Sequence, residues 1–307
     1  MKHISSVEGG GEMSFCHKNF LWLMEIRYII MSDLLGSWKK KGEFVMPTTF
    51  THDVFGKDVW KLLPKQLKGI IRENEEVYRI GLHGPDIFFY YHPFMKNKTN
   101  QIGHRMHKEN ASVFFDRAIE TFRKEPSEPL AAYLLGFACH FVLDSTCHGY
   151  VGKFERETGT THAEIETELD RYFMIREKKK LYDYLPAGVL NPSEENCQVI
   201  QKVFPQTSVK RIQQCIGWQK WYDKMLTCRC PVRERIIFGG MKLLGCYRSM
   251  KGQVMSRTPN PVCEESTREL VRLYQAALKE APGVLENLYE CLYGDAKLSQ
   301  RFERNYN

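Results

Sequence analysis

The sequence predicts an all-α fold, a single multi-helix domain of roughly eight to ten helices, on three observations. Apolar residues recur at three- and four-residue steps through most of the 307 positions. No run of alternating β-branched residues bounded by turns is long enough to read as a strand. Helix-start chemistry is explicit in "GTTHAEIETELDRYF": Thr161 followed by Glu164 fits a capping box, which makes His162 the first helical residue.

In chain order, helical periodicity covers 56–67 ("GKDVWKLLPKQL") and 68–81 ("KGIIRENEEVYRIG"). A helix over about 103–123 ("GHRMHKENASVFFDRAIETFR") stops before Pro126. The stretch 128–150 is apolar nearly all round, as a buried central helix requires. Past 190 the pattern continues through "PSEENCQVIQKVF", "SVKRIQQCIGWQKWYDKML", "VRERIIFGGMKLLGCYRSM" and "CEESTRELVRLYQAAL" to a final helix near 283–303. The loops expected to matter are 82–102, rich in Gly, Pro, Tyr and Phe, and 149–161.

Composition is that of an ordinary globular chain, 43% hydrophobic and 26% charged, with no low-complexity tract. The net charge of +7 suits an anionic substrate or surface without demanding either. No Lys/Arg stripe interleaved with aromatics marks a nucleic-acid groove; "REKKK" (176–180) reads as a solvated helix terminus with cations near the carbonyl end. The ten cysteines are scattered and contain no Cys-x-x-Cys pair, which argues against a zinc ribbon. Reduced thiols in a cytoplasmic compartment are the default expectation.

Residues 1–45 include "FLWLMEIRYIIM" (20–31), interrupted by Glu25 and Arg27 and too short to span a bilayer. Glu8, Glu12 and the broken apolar run do not make a signal peptide. "KKKGEF" (39–44) back-translates to purine-rich codons shortly before Met46, the pattern of a bacterial ribosome-binding site. The expectation is therefore a native start at Met46, with 1–45 an extension not translated natively and the domain proper over 46–307. Peptides from 1–45 in mass spectra of natively expressed protein would refute that start.

Histidine is segregated. Of ten, eight fall between 52 and 162 and none in the last 145 residues, so the first half of the domain is expected to build a site that the C-terminal helices buttress. "HFVLDSTCH" (140–148) sets His140, Asp144 and His148 at steps of four, one line on a helix face. At ~1.5 Å rise per residue the two histidines lie roughly 12 Å apart along the axis, too far for one ion. Two ions fit the spacing: His140 and Asp144 on one, His148 on another, the carboxylate bridging. Bound cations also remove the penalty of an ionised carboxylate in an apolar helix. The competing reading is a core histidine beside a hydrogen-bonded aspartate.

Three further clusters join this line. His162 and Glu166 repeat the four-residue step at a helix start. "GHRMHKEN" (103–110) offers His104 and His107, and "GLHGPDIFFYYHPF" (81–94) places Asp86 after Gly-Pro, where a turn aims a carboxylate at a cleft. The aromatics Phe88, Phe89, Tyr90 and Tyr91 that follow read either as core or, with Tyr133 or Tyr150, as the lining of a head-group pocket suited to a quaternary amine. His52 stands near the start of the domain in "PTTFTHDVFGKDV".

The ordered set "TTFTHDVFG", "GPDIFFYY", "GHRMHKEN", "HFVLDSTCH" and "HAEIE" resembles the bacterial zinc-dependent phospholipases C, whose helical fold is shared with single-strand-specific nucleases. The likeness covers 46–170 as motifs and 46–290 as a fold. It implies a metal cluster between central helices holding two or three zinc ions. Asp86, His107, His140 and Asp144 would ligate one, His148, His162 and Glu166 a second, and His52 a third to which Asp144 bridges. In secreted members the third zinc also takes the α-amino group of a processed N-terminal tryptophan; here Pro47 would carry that amine after removal of Met46. The step from Asp144 to His148 is shorter here than in those enzymes.

The implied activity is hydrolysis of a phosphodiester, of the phospholipase C type, giving diacylglycerol and a phosphorylated head group. Asp86 would orient or deprotonate the water and Asp144 would bridge. The implied partners are a phospholipid or other phosphodiester and transient contact with a membrane surface, with no obligate protein partner evident; nucleic acid remains an alternative substrate. Alternative readings are a single-strand nuclease or phosphomonoesterase on the same fold, and a non-catalytic helical protein binding lipid or metal. A fourth, an HD-type phosphohydrolase, is prompted by adjacent His52 and Asp53; it needs that pair inside a helix, whereas "TFTHDVFG" reads as an entry segment.

Overall fold

The computed structural model describes residues 49–93 and 95–306, so the expectations for 1–45 and for Met46 and Pro47 lie outside it. Residues 49–93 and 97–306 belong to one compact unit. The described residues form twelve α-helices and four short 3-10 helices, with no strand among them. The all-α expectation holds.

Helix α1 (Phe50–Leu62) starts six residues earlier than the periodicity suggested and ends at Leu63, whose backbone is extended before Pro64. Proline clashes with a helical preceding residue, which splits the expected 56–67 helix. Helices α2 (Lys65–Glu73) and α3 (Glu75–Gly81) follow. The expected loop 82–102 contains a 3-10 helix, Gly84–Tyr90, and the start of α4 (Asn100–Met106). The single helix expected over 103–123 is two: α4 ends at His107, and α5 (Ala111–Lys124) begins after Asn110, which is extended. The Ala111 N–H donates to the Arg304 carbonyl, so this break is pinned by the far end of the chain.

Helix α6 (Glu128–Thr158) is the central helix of this unit. The Ser127 hydroxyl accepts from the Leu130 N–H at its start, and Gly159 ends it in the left-handed conformation at φ 69°. The helix therefore runs on through Gly149 and Gly152, where a loop over 149–161 was expected. Its length and apolarity would suffice to cross a membrane, yet 94% of its most apolar stretch is buried by neighbouring elements. Helix α7 (His162–Arg176) opens on the capping box, Thr161 and Glu164 each bonding the other's backbone N–H. Helices α8 (Glu194–Val203), α9 (Val209–Leu226), α10 (Pro231–Leu243) and the short α11 (Tyr247–Met250) lead to α12 (Cys263–Tyr293).

Helix α12 replaces the expected final helix near 283–303. It continues through Pro282, because its buried stripe of Leu270, Tyr274, Ala277, Ala281, Leu285 and Leu288 is unbroken there. Burial of that stripe outweighs the ~3 kcal/mol that an internal proline costs.

Helices α1, α3 and α12 pack directly on α6. The α3 contact is the tightest: a Cβ on Gly81 would overlap the Tyr133 carbonyl, and one on Gly136 the Tyr78 carbonyl. Two glycines facing each other let the backbones touch and bring the 84–90 turn against the middle of α6. Gly136→Ala is expected to destabilise the fold by about 1–3 kcal/mol through overpacking. Gly217→Ala, where nothing lies within 4 Å of the added carbon, should stabilise by roughly 0.5–1 kcal/mol. Urea unfolding midpoints check both signs.

Candidate metal centre

Helix α6 delivers the line read from the sequence. Asp144 is 3% exposed, deep between two imidazoles of its own helix: His140 Nε2 lies 3.1 Å from Oδ2 and His148 Nε2 3.7 Å from Oδ1. Four other elements close on it, α1 among them. The 3-10 turn brings Asp86, whose Oδ1 is 3.1 Å from His107 Nε2 and whose Oδ2 is 3.7 Å from His140 Nε2. The end of α4 brings His107 to 3.8 Å from Asp144 Oδ2. The first turn of α7 brings His162 and Glu166, which meet at 2.8 Å, with His148 3.5 Å from the same carboxylate oxygen.

The side chains sort into two groups, each with its ligand atoms within 4.8 Å of one another: Asp86, His107, His140 and Asp144, and His148, His162 and Glu166. His52, on α1, adjoins the first. Its Nε2 is 3.2 Å from Asp144 Oδ1 and its ring stacks on His140 at 4.6 Å. His104 stays outside the groups, its ring against Phe89 at 4.8 Å.

Local chemistry holds each ligand. The Nδ1–H of His107 donates to the Gly103 carbonyl at 2.9 Å, which fixes the tautomer and leaves Nε2 facing the centre. Gly84, at φ 48°, sits against the His140 ring so closely that a Cβ would overlap it. The Asp170 carboxylate, one turn beyond Glu166, accepts from the Phe50 and Thr51 N–H groups at 3.2 and 2.8 Å. That bond ties the start of α1 to α7 and aims His52 at Asp144. Burial pushes the Asp170 carboxyl up to about 6 despite the bonds from Thr51 and Phe50.

His52 and Asp53 lie inside α1, not on an entry segment, so the argument used against the HD-type reading does not stand. The geometry disfavours that reading in another way. Asp53 points away from the centre and accepts from Lys57 at 2.7 Å and Arg79 at 3.0 Å. Of the two readings of the aromatics, the core one fits Phe88, Phe89, Tyr90 and Tyr133, while Tyr91 and Tyr150 are half-buried. Phe88, Phe89, Tyr90 and Tyr133 are core side chains, with Phe88 against Phe204 at 4.9 Å, and Phe89 packs on the His107 ring at 5.2 Å. Hydrophobic burial took Phe88, Phe89 and Tyr133, while Tyr90 also lines a cavity with Tyr182, Tyr184 and Tyr222 that contains none of the candidate ligands.

One residue that sequence reasoning missed is Tyr306. Its ring lies 5.0 Å from His107 and 5.9 Å from His140, centroid to centroid. It stands 140 positions after Glu166 in sequence, with no motif around it. Gly84 and Asp170 were equally invisible, although "HGPD" carried a turn signal.

The donors fit a cation. Asp86 Oδ1, Asp144 Oδ2, Glu166 Oε2 and both ring nitrogens of His140 are buried without a hydrogen-bond partner. Such atoms each carry a desolvation penalty that a metal bond removes. Three carboxylates and five imidazoles match the oxygen and nitrogen preferences of a borderline divalent ion such as zinc.

Without the metal, protons take its place. Burial pushes the His107 imidazole down, but Asp144 and Asp86 outweigh it and hold it up at about 10. Glu166 likewise outweighs burial at His162, held up at about 9. Burial raises Asp144 and Glu166, but the facing imidazoles win and hold both well below the usual carboxylate range. The raised imidazoles stabilise the metal-free fold fully below their ordinary value of 6.5 and lose that contribution as pH rises through about 9 to 10. A divalent ion must displace those protons. Zinc affinity is therefore expected to rise with pH across this window, with proton release on binding, while the melting temperature of metal-free protein falls. Titration calorimetry in buffers of different ionisation enthalpy checks the first; a pH-independent affinity without proton release contradicts it.

A family model described as zinc dependent phospholipase C matches residues 51–224, from the first turn of α1 to the last of α9. No curated protein and no solved structure matches the chain. The matched span covers more than half of the chain and contains Asp144 and the seven side chains gathered around it. On that match and this geometry, the chain belongs to the zinc-dependent phospholipase C family.

Proposed function

We propose that this zinc-dependent phospholipase-type hydrolase cleaves the glycerol-side P–O bond of a phospholipid, giving diacylglycerol and a phosphorylated head group. The single observation that carries the reading is the Asp144 carboxylate set between two imidazole–carboxylate groups, one oxygen toward each. Asp86, His107, His140 and Asp144 would hold one ion, His148, His162 and Glu166 a second, and His52 with Asp144 would serve a third. Bound zinc supplies Lewis acidity, lowering the pKa of water and neutralising phosphoryl oxygens as charge builds.

The chain's own residues do the rest. Asp86 orients the attacking water and takes its proton as the new O–P bond forms. The P–O bond to glycerol breaks, and that proton, passed to the departing oxygen, completes the alcohol. His162 is the most open member, its side chain 25% exposed against 14% for His107 and 13% for His148, so substrate approaches from the first turn of α7. Membrane contact is transient in this reading, lasting while the lipid is drawn to the site.

The test is a zinc count on protein begun at Met46, followed by turnover of phosphatidylcholine against single-stranded DNA. Two or three zinc ions per chain with lipid turnover is expected; DNA turnover instead would transfer the site to a nuclease, and no zinc would remove the hydrolase reading. Asp144→Asn should lose metal and activity together. His107→Ala should be severe, about 10- to 100-fold in metal affinity, and His104→Ala mild; the reverse order would contradict the assignment.

A further inference from the structure

Tyr306 lies beyond the span that the family model matches, yet it is built into the metal centre. The segment that carries it is strapped to α6 over the turn that bears Asp144. Arg304 donates to the Ser145 carbonyl at 2.7 Å, and Arg301 donates to the Thr146 hydroxyl at 3.2 Å and the Val142 carbonyl at 3.4 Å. Phe302 stacks on Phe141 at 5.4 Å, and the Arg304 carbonyl receives the first N–H of α5 at 2.9 Å. These anchors deliver the Tyr306 ring against His107, His140 and Phe141, the last at 5.2 Å.

The hydroxyl is the anomaly. Tyr306 is 1% exposed and its OH has no hydrogen-bond partner. An orphaned buried hydroxyl costs about 1–3 kcal/mol, which phenylalanine would avoid. The two imidazoles it packs on are paired with buried carboxylates, Asp86 Oδ1 at 3.1 Å from His107 Nε2 and Asp144 Oδ2 at 3.1 Å from His140 Nε2, and neither oxygen has a hydrogen bond of good geometry. The charges of Asp144 and Asp86 are the two strongest that the phenol feels after burial itself.

We propose that Tyr306 is a positioning residue of the metal centre: its ring clamps His107 and His140, and its hydroxyl donates to a ligating carboxylate, Asp144 or Asp86, once a cation draws that side chain into place. The orphaned hydroxyl is then the metal-free half of a hydrogen bond that zinc binding completes. The C-terminal segment becomes part of the site.

The inference rests on the centre binding zinc, and the experiment separates the two. Zinc affinity is measured by competition with a chelator, and thermal unfolding on the same proteins stripped of metal, for wild type, Tyr306→Phe and Tyr133→Phe. Tyr133 carries a second orphaned buried hydroxyl, inside the core. Tyr306→Phe is expected to bind zinc about 10- to 100-fold more weakly while its metal-free form unfolds at the same or a higher temperature. Tyr133→Phe should share the stability effect and keep wild-type affinity. A purely structural tyrosine would move stability and affinity in the same direction. Wild-type affinity in Tyr306→Phe overturns the proposal alone; a wild type that takes up no zinc removes the metal-centre reading and this inference with it.

Discussion

The structure depends on one buried charge. Asp144 sits in the middle of an apolar helix, almost without exposure, and His52, His107, His140 and His148 all reach it within 4 Å. An ionised carboxylate taken out of water without partners costs several kcal/mol, more than a domain's margin of stability comfortably absorbs. Positive charge must be supplied nearby, as imidazolium in the metal-free protein and as a cation when loaded. The other ligands on α1, the 3-10 turn, α4 and α7 exist in this geometry to meet that requirement.

Meeting it needs backbones closer than ordinary helix packing allows. Facing glycines let α3 touch α6, Gly84 lets the next turn slide under the His140 ring, and Asp170 fixes where α1 begins. Each acts on orientation more than on affinity for any ligand. An imidazole displaced by an ångström still packs well, but it no longer shares a point with its partners, and a tetrahedral ion is intolerant of that. The aromatic shell of Phe89, Phe141 and Tyr306 serves the same end from the other side, with Phe89 and Tyr306 packed on the His107 ring.

What the sequence reveals follows from the range of the interactions. His140, Asp144 and His148 were legible because a step of four is one helical turn, and the Thr161–Glu164 box because capping is local. The gathering of His52, Asp86, His107 and His162 came through the resemblance of ordered motifs, since separate helices have no common period. Tyr306 and Asp170 act through tertiary contact and left no pattern, and the turn signal at Gly84 gave no hint of its contact with His140. The two prolines make the point for the fold. Pro64 ends a helix at the extended Leu63, while Pro282 is carried along by a buried stripe that runs past it. Proline signals a tendency, and burial decides.

The two groups are not equivalent, and their difference suggests a division of labour. The first contains two carboxylates and the fully buried His140; the second contains one carboxylate and the most open imidazole, His162. More negative charge in a drier setting binds a divalent ion more tightly and releases it more slowly. In the proposed reading the inner group anchors, and the outer one keeps a position open for a phosphoryl oxygen. Asp144 couples them, because its two oxygens face opposite groups and cannot turn independently. In that reading a cation held by the inner group would also hold Oδ1 in front of His148 and His52, 3.7 and 3.2 Å away, and filling the inner group would prepare the outer one. The same carboxylate that makes the fold expensive without cations is what lets separate ligand sets behave as one site.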